Sequence, residues 1–153
     1  MLRDGAAGKS HKVDALSTRL KDKLEKIEEI IAILSEESAK GKPIVVEGKK
    51  DAHALGELGI NGKVLTLKTG GKSFIDAAQE IETLGVDEVI LLLDYDRRGK
   101  EGTKRLQQDL ERAKVKVNAR WWRKLQTLVA REVQCIESLP GYLETLKAKA
   151  VAS

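Results

Sequence analysis

Apolar residues at Val13, Leu16, Leu20, Leu24, Ile27, Ile31 and Leu34 recur in steps of three and four, the repeat of one helical face. Lys, Asp and Glu fill the opposite face, so the pattern predicts an amphipathic helix over residues 13–38, preceded by a flexible leader at 1–12. Ile30 and Ile33 broaden the stripe, which favours packing against a domain over a coiled-coil seam; a homodimer contact is the alternative. Gly41 supplies a C-terminal stop, with Pro43 just beyond it.

From Pro43 the pattern changes to short aliphatic runs separated by helical ones. "PIVVEG" predicts a strand, "KKDAHALGELG" a helix, "GKVLTL" a second strand and "KTGGKS" a turn. Ser73 is placed to cap the helix "FIDAAQEIETLG", with Asp76 in the reciprocal position. "DEVILLLD" is almost wholly aliphatic, as expected of a central parallel strand covered on both faces. A helix over 98–113, a fourth strand "KVKVNA" and a helical tail from Trp121 to Ala150, broken at Pro140-Gly141, complete the pattern. Strand–helix alternation implies an α/β fold with a four-stranded parallel sheet flanked by helices. The expected organisation is one domain in three parts: leader and amphipathic helix at 1–42, core at 43–120, and a helical extension packed on the core at 121–153.

Composition narrows the class without naming a function. The chain has 153 residues, 41% hydrophobic and 34% charged, which suits one globular domain. No apolar run reaches the roughly 18–20 residues of a membrane span, so no membrane partner is expected. "MLRDGAAGKSHK" lacks the apolar core of an export signal, and Cys135 is the sole cysteine, so a cytoplasmic location is expected. Cys135, His11 and His53 are too scattered to suggest a zinc site. A net charge of +4 leans mildly toward polyanionic partners.

The candidate chemistry sits at strand ends. Glu47 follows the first strand, and Asp94 and Asp96 follow the third. Residues two apart in extended backbone share a side, so Asp94 and Asp96 can face one point while Tyr95 faces away. Open α/β sheets bind ligands beyond the carboxyl ends of strands, where strand order reverses. If the first and third strands are neighbours with the second outside the first, that crevice lies between Glu47 and the Asp pair. Carboxylates converging there need a cation, and hard oxygen donors suit Mg²⁺ or Mn²⁺. Simple capping of the following helices is the competing explanation for each acid taken singly.

Around these acids lies positive charge. Arg97 to Lys124 holds eleven Lys or Arg against three Asp or Glu. Arg97, Arg98 and Lys100 open a helix, where cations oppose the dipole and so do not serve helix stability. A polyanion beside the metal explains them, and Lys49 and Lys50 after Glu47 can reach the same crevice. In "ARWWRK", Arg120 and Arg123 flank Trp121 and Trp122; aromatics among cations can stack on unpaired bases, although at least one is expected in the core. The "GGKS" at 70–73 fails as a P-loop because position 66 is Thr, and "AGKS" at 7–10 fails because position 3 is Arg.

"IVVEGKKDAHAL", followed about forty residues on by "VILLLDYDRRGKEG", resembles the Toprim domain over Pro43–Ala119. That domain is shared by topoisomerases, bacterial-type primases, overcoming-lysogenization-defect nucleases, recombination mediators and the ribonuclease that matures 5S ribosomal RNA. The whole chain is most similar to the small stand-alone archaeal Toprim proteins, including its tail "ARWWRKLQTLV…IESLPGYLETL". The resemblance implies a Rossmann-like Toprim fold, Glu47 as general acid or base, and Asp94 and Asp96 as metal ligands; the expected convergence of the three carboxylates adds Glu47 to the metal site. Topoisomerases carry a third Asp where this chain has Arg98, and Glu101 is a weak substitute. No topoisomerase nucleophile module surrounds Tyr95 or Tyr142, so strand passage is not expected. The function expected is Mg²⁺-dependent phosphodiester chemistry on RNA or DNA, foremost a nuclease, with RNA processing as one setting. The alternatives are a non-catalytic module that binds nucleic acid or ribosomal RNA, and a primase-like nucleotidyl transferase, which would need parts not seen here.

Overall fold

A computed structural model describes residues 2–67, 73–129 and 131–152. Ten elements follow the expected alternation: α1 (Leu2–Ala39), β1 (Ile44–Val46), α2 (Lys49–Glu57), β2 (Val64–Thr66), α3 (Phe74–Thr83), β3 (Glu88–Leu91), α4 (Arg97–Arg112), β4 (Lys116–Asn118), α5 (Arg120–Val129) and α6 (Leu139–Ala152). A 3₁₀ turn at Ile136–Ser138 precedes α6. All strand pairs are parallel, in the order β2-β1-β3-β4. This is the expected α/β fold with an added N-terminal helix and a helical C-terminal extension.

The aliphatic runs explain the layering. Along β1 and β3, Ile44, Val46, Ile90 and Leu92 enter one core, whereas Val45, Val89, Leu91 and Leu93 enter the other. This two-residue alternation divides the helices between faces: α1, α2, α5 and α6 pack on the first, α3 and α4 on the second. The helix connecting β1 to β2 therefore lies on the opposite face from the one connecting β3 to β4. Right-handed crossovers require that change of face where strand order reverses. The reversal lies between β1 and β3.

Two boundaries differ from the sequence pattern. Helix α1 continues back to Leu2, through the segment expected as a leader. The break in the tail falls before the 3₁₀ turn, not at Pro140-Gly141. Pro140 lies in the first turn of α6, where a missing N–H breaks no intrahelical bond. The expected stripe of α1 is confirmed where its side chains are described: Ile27, Ile30 and Leu34 are buried, with Leu20, Leu24 and Ile31 packed beside them. Ser73 and Asp76 form the anticipated capping box on α3, while the rest of the "KTGGKS" turn, residues 68–72, lies outside the described residues.

Charge at the N-terminal edge of the sheet is internally matched. Lys42 pairs with Glu37 and with Glu88, and Lys116 pairs with Glu88. The hydrogen bond from Lys42 holds the Glu37 carboxyl below its usual range, and the same bond raises the Lys42 ammonium above its own. The opposite edge, where the candidate acids lie, has a different character.

Candidate metal and nucleic-acid site

Glu47 is the first residue beyond β1 and is only 2% exposed. Gly48 then runs extended into α2, whose first turn is capped by Asp51: its Oδ2 accepts the Gly48 N–H at 3.1 Å. A carboxylate there satisfies one free helix donor and complements the helix dipole. Lys49 and Lys50 are exposed on the same turn, beside a cavity shared with His53, Ala54, Glu57 and Glu137.

The second acidic segment leaves β3. Val45 pairs with Leu91, and the Leu92 N–H still donates to the Val45 carbonyl at 2.9 Å. Continuing that register puts Glu47 beside Leu93, one residue before Asp94. Asp94 is half-buried. Its neighbours fix the turn: the Trp122 indole N–H donates to the Leu93 carbonyl at 2.6 Å, and the Tyr95 N–H donates to the Gln134 carbonyl at 2.7 Å. The Tyr95 hydroxyl donates to the Trp122 carbonyl at 2.8 Å, and the two rings stack with centroids 5.2 Å apart. Burial pushes the Tyr95 phenol well above its ordinary range, so it stays a donor at physiological pH. Tyr95 thus faces the core while Asp96 is exposed.

Asp96 caps α4: its Oδ1 accepts the Gly99 N–H at 2.7 Å. For this acid, capping is one role in fact, and it commits one of the two oxygens. Gly99 is required by packing. A Cβ at that position would lie 2.0 Å from the Asp94 carbonyl oxygen and 2.6 Å from its carbonyl carbon. The first turn of α4 is therefore pressed against the Asp94 backbone in a way only glycine permits. Gly99→Ala is expected to cost about 3 kcal/mol in urea denaturation, the upper end of ordinary overpacking, because backbone must move. Gly102→Ala is expected to cost only about 1 kcal/mol, since the atom it meets at 2.5 Å is the far end of the Phe74 ring. Equal costs at the two positions would contradict this account.

The predicted residues thus share one sheet edge but do not close into a tight set. Among the described residues, the set of three potential ligands within 4.8 Å of one another is Asp51, Cys135 and Glu137. Both Asp51 oxygens accept backbone N–H groups there, from Gly48 and, at 2.9 Å, from Glu137. That arrangement clasps α2 to the 3₁₀ turn. Glu47, Asp94 and Asp96 are the all-oxygen set and the better match to a hard cation. Oxygen donors of this kind suit hard divalent cations.

The basic residues separate into distinct surfaces. Arg97 is paired with Glu101 at 3.1 Å, while Arg98 is exposed. Arg120 and Lys124 lie over the Trp121 ring, at 4.8 and 5.3 Å, in a cleft between α5 and α1. Lys100 and Arg123 instead line a groove between α4 and α5. Of the two tryptophans, Trp122 is the core residue and Trp121 the half-buried one. Asp51 and Gly99 carry roles that no motif announces. The available signals were an acid in the first turn of α2 and a glycine inside a helix start.

A parallel sheet whose two central strands both lead into carboxylates at the switch point defines an α/β protein with an acidic ligand edge. The family model described as Toprim domain matches residues 41–119, and the chain belongs to the Toprim family. Its relatives include the UPF0292 protein of Methanosarcina acetivorans, 37% identical over 127 residues, covering 83% of this chain and 86% of that one. The UPF0292 protein MJ1624 of Methanocaldococcus jannaschii is 35% identical over 119 residues, covering 78% and 91%. A solved structure from Aquifex aeolicus superposes with a TM-score of 0.60 at 27% identity, covering 72% of this chain and 94% of that one. The chain is thus similar to small archaeal Toprim proteins. Toprim domains bind divalent metals, and membership implies a metal-dependent function related to nucleic acid. Among the described residues, no helix is long and apolar enough to cross a membrane.

Proposed function

We propose that this protein performs divalent-metal-dependent phosphodiester chemistry on nucleic acid, as a nuclease acting on RNA or DNA. The observation that carries the reading is the burial of Glu47 at the end of β1, across the sheet's switch point from the Asp94 turn. A buried carboxylate at the ligand-binding edge of an α/β sheet is placed to act on what binds there. Asp94 and the uncommitted oxygen of Asp96 would hold Mg²⁺ or Mn²⁺, which supplies charge withdrawal from a bound phosphate. Glu47 transfers a proton to or from the nucleophile or the leaving oxygen. Arg98, at the start of α4, and Lys49 and Lys50, at the start of α2, hold the phosphate's charge beside free helix N–H groups.

The test is cleavage of structured RNA, single-stranded DNA and duplex DNA by the wild-type protein with Mg²⁺, with Mn²⁺ and with EDTA. Products that form on at least one substrate with metal, and vanish with EDTA, are expected. Binding without cleavage on every substrate, with either metal, would replace this reading with the non-catalytic one.

A further inference from the structure

Helix α4 presents its charges in two ways. On one side Arg97 pairs with Glu101, Arg105 with Asp109 at 3.2 Å, and Arg112 with Asp109 at 3.9 Å. On the side facing α5, Lys100 and Lys104 are one helical turn apart, and neither has an ion-pair partner among the described residues. Arg123 of α5 faces them, also without an acidic partner; its guanidinium donates to Gln107 Oε1 at 3.4 Å. Together with Thr103, Gln107, Trp122 and Gln126 these residues line a groove of about 380 Å³ that holds no acidic side chain among the described residues. Three unneutralised cations held side by side repel one another, and a fold that only needed solubility would interleave them with acids, as the other side of α4 does.

We propose that the α4–α5 groove is the track for the sugar–phosphate backbone of a single nucleic-acid strand, running from the turn that holds Asp94 and Asp96. Lys100, Lys104 and Arg123 each meet a phosphate, and Gln107 orients Arg123. Lys100 lies within the first turn of α4, next to the Asp96 cap, so the strand's entry to the groove and the carboxylate edge are contiguous. From Lys100 to Gln107 the helix rises about 10 Å, a path for a strand segment, and a cavity of this size holds one backbone and no duplex. Arg120 takes no part, since it lies on the other side of α5 over Trp121. This deepens the nucleic-acid reading above and rests on it only for the identity of the polyanion.

The experiment measures single-stranded oligonucleotide affinity by fluorescence anisotropy across a salt series in EDTA, so that metal chemistry plays no part. Each released phosphate contact lowers the slope of log K against log salt by roughly 0.7 for a single strand. Lys100→Ala, Lys104→Ala and Arg123→Ala are each expected to remove about that much, and the triple variant about three times as much. Lys104→Arg is expected to keep the wild-type slope, and Arg105→Ala, on the paired side, to leave it unchanged. Circular dichroism and Tm establish that the variants remain folded; these exposed positions carry no core contact. A folded triple variant with the wild-type slope would overturn the proposal, as would a wild type that binds no single strand in EDTA. An unchanged slope beside metal-dependent cleavage sinks the groove alone. A reduced slope beside a wild type that never cuts supports the groove and sinks the nuclease.

Discussion

Trp122→Ala is expected to lower the unfolding free energy by about 3–5 kcal/mol, the usual range for removing a large buried aromatic. Trp122 is only 6% exposed and belongs to the core that joins α1, α5 and α6 to the sheet. Its indole N–H also satisfies the Leu93 carbonyl, and its ring covers Tyr95. The alanine chain therefore loses apolar burial and leaves a carbonyl without its donor, one residue before Asp94. Trp122→Phe separates these effects: the packing is largely kept, and the lost hydrogen bond should cost about 1–2 kcal/mol. Urea denaturation followed by circular dichroism measures both, with the midpoint falling and the slope unchanged. A cost below 1 kcal/mol for the alanine variant would show that Trp122 does not hold this turn.

Why Trp122 and not Trp121 bears this load was hidden in the sequence, and the reason is physical. Adjacent helical positions diverge by about 100°, so one of the pair had to turn outward, but periodicity cannot say which without the neighbours. The architecture was far more legible. "IVV" and "EVILL" alternate between two cores because both central strands are covered on both faces, and that burial is written as uninterrupted aliphatics. Strand order was only supposed, with the first and third strands as neighbours and the second outside the first, and the order β2-β1-β3-β4 meets that condition. What pattern could not show is anything set by long-range contact. Asp51 reads as an ordinary first-turn acid, yet one of its oxygens reaches the backbone of Glu137, far along the chain. Gly99 reads as a poor helix former, yet the Asp94 backbone occupies the place of its missing side chain. The pairing of charges on α4 was likewise invisible to a count of Lys and Arg. That count treats Arg105 and Lys104 alike, while the fold pairs one with Asp109 and leaves the other facing α5.

Glu47→Gln is expected to reduce metal-dependent cleavage by about 10²–10⁴-fold, the range for removing a positioned proton-transfer group. The amide has the shape of the carboxylate but cannot exchange a proton at neutral pH, so binding of single-stranded oligonucleotide in EDTA should stay within about twofold of wild type. The change separates two roles expected of the same residue, proton transfer from the family resemblance and metal binding from the convergence of the three carboxylates. A metal ligand acts through affinity, so weakening it raises the Mg²⁺ concentration needed for half-maximal rate. A proton-transfer group acts on the rate itself, and saturating metal does not restore what its removal takes away. Asp94→Asn supplies the contrast, because Asp94 sits on the turn opposite Glu47 and is assigned to the metal alone. Its deficit should shrink as Mg²⁺ or Mn²⁺ is raised, while that of Glu47→Gln persists. Burial sharpens the expectation: Glu47 is almost wholly enclosed and Asp94 half-exposed, so the more accessible acid is the one suited to a hydrated ion. If added metal rescues Glu47→Gln as fully as Asp94→Asn, Glu47 is a ligand and the proton must move through water or another group.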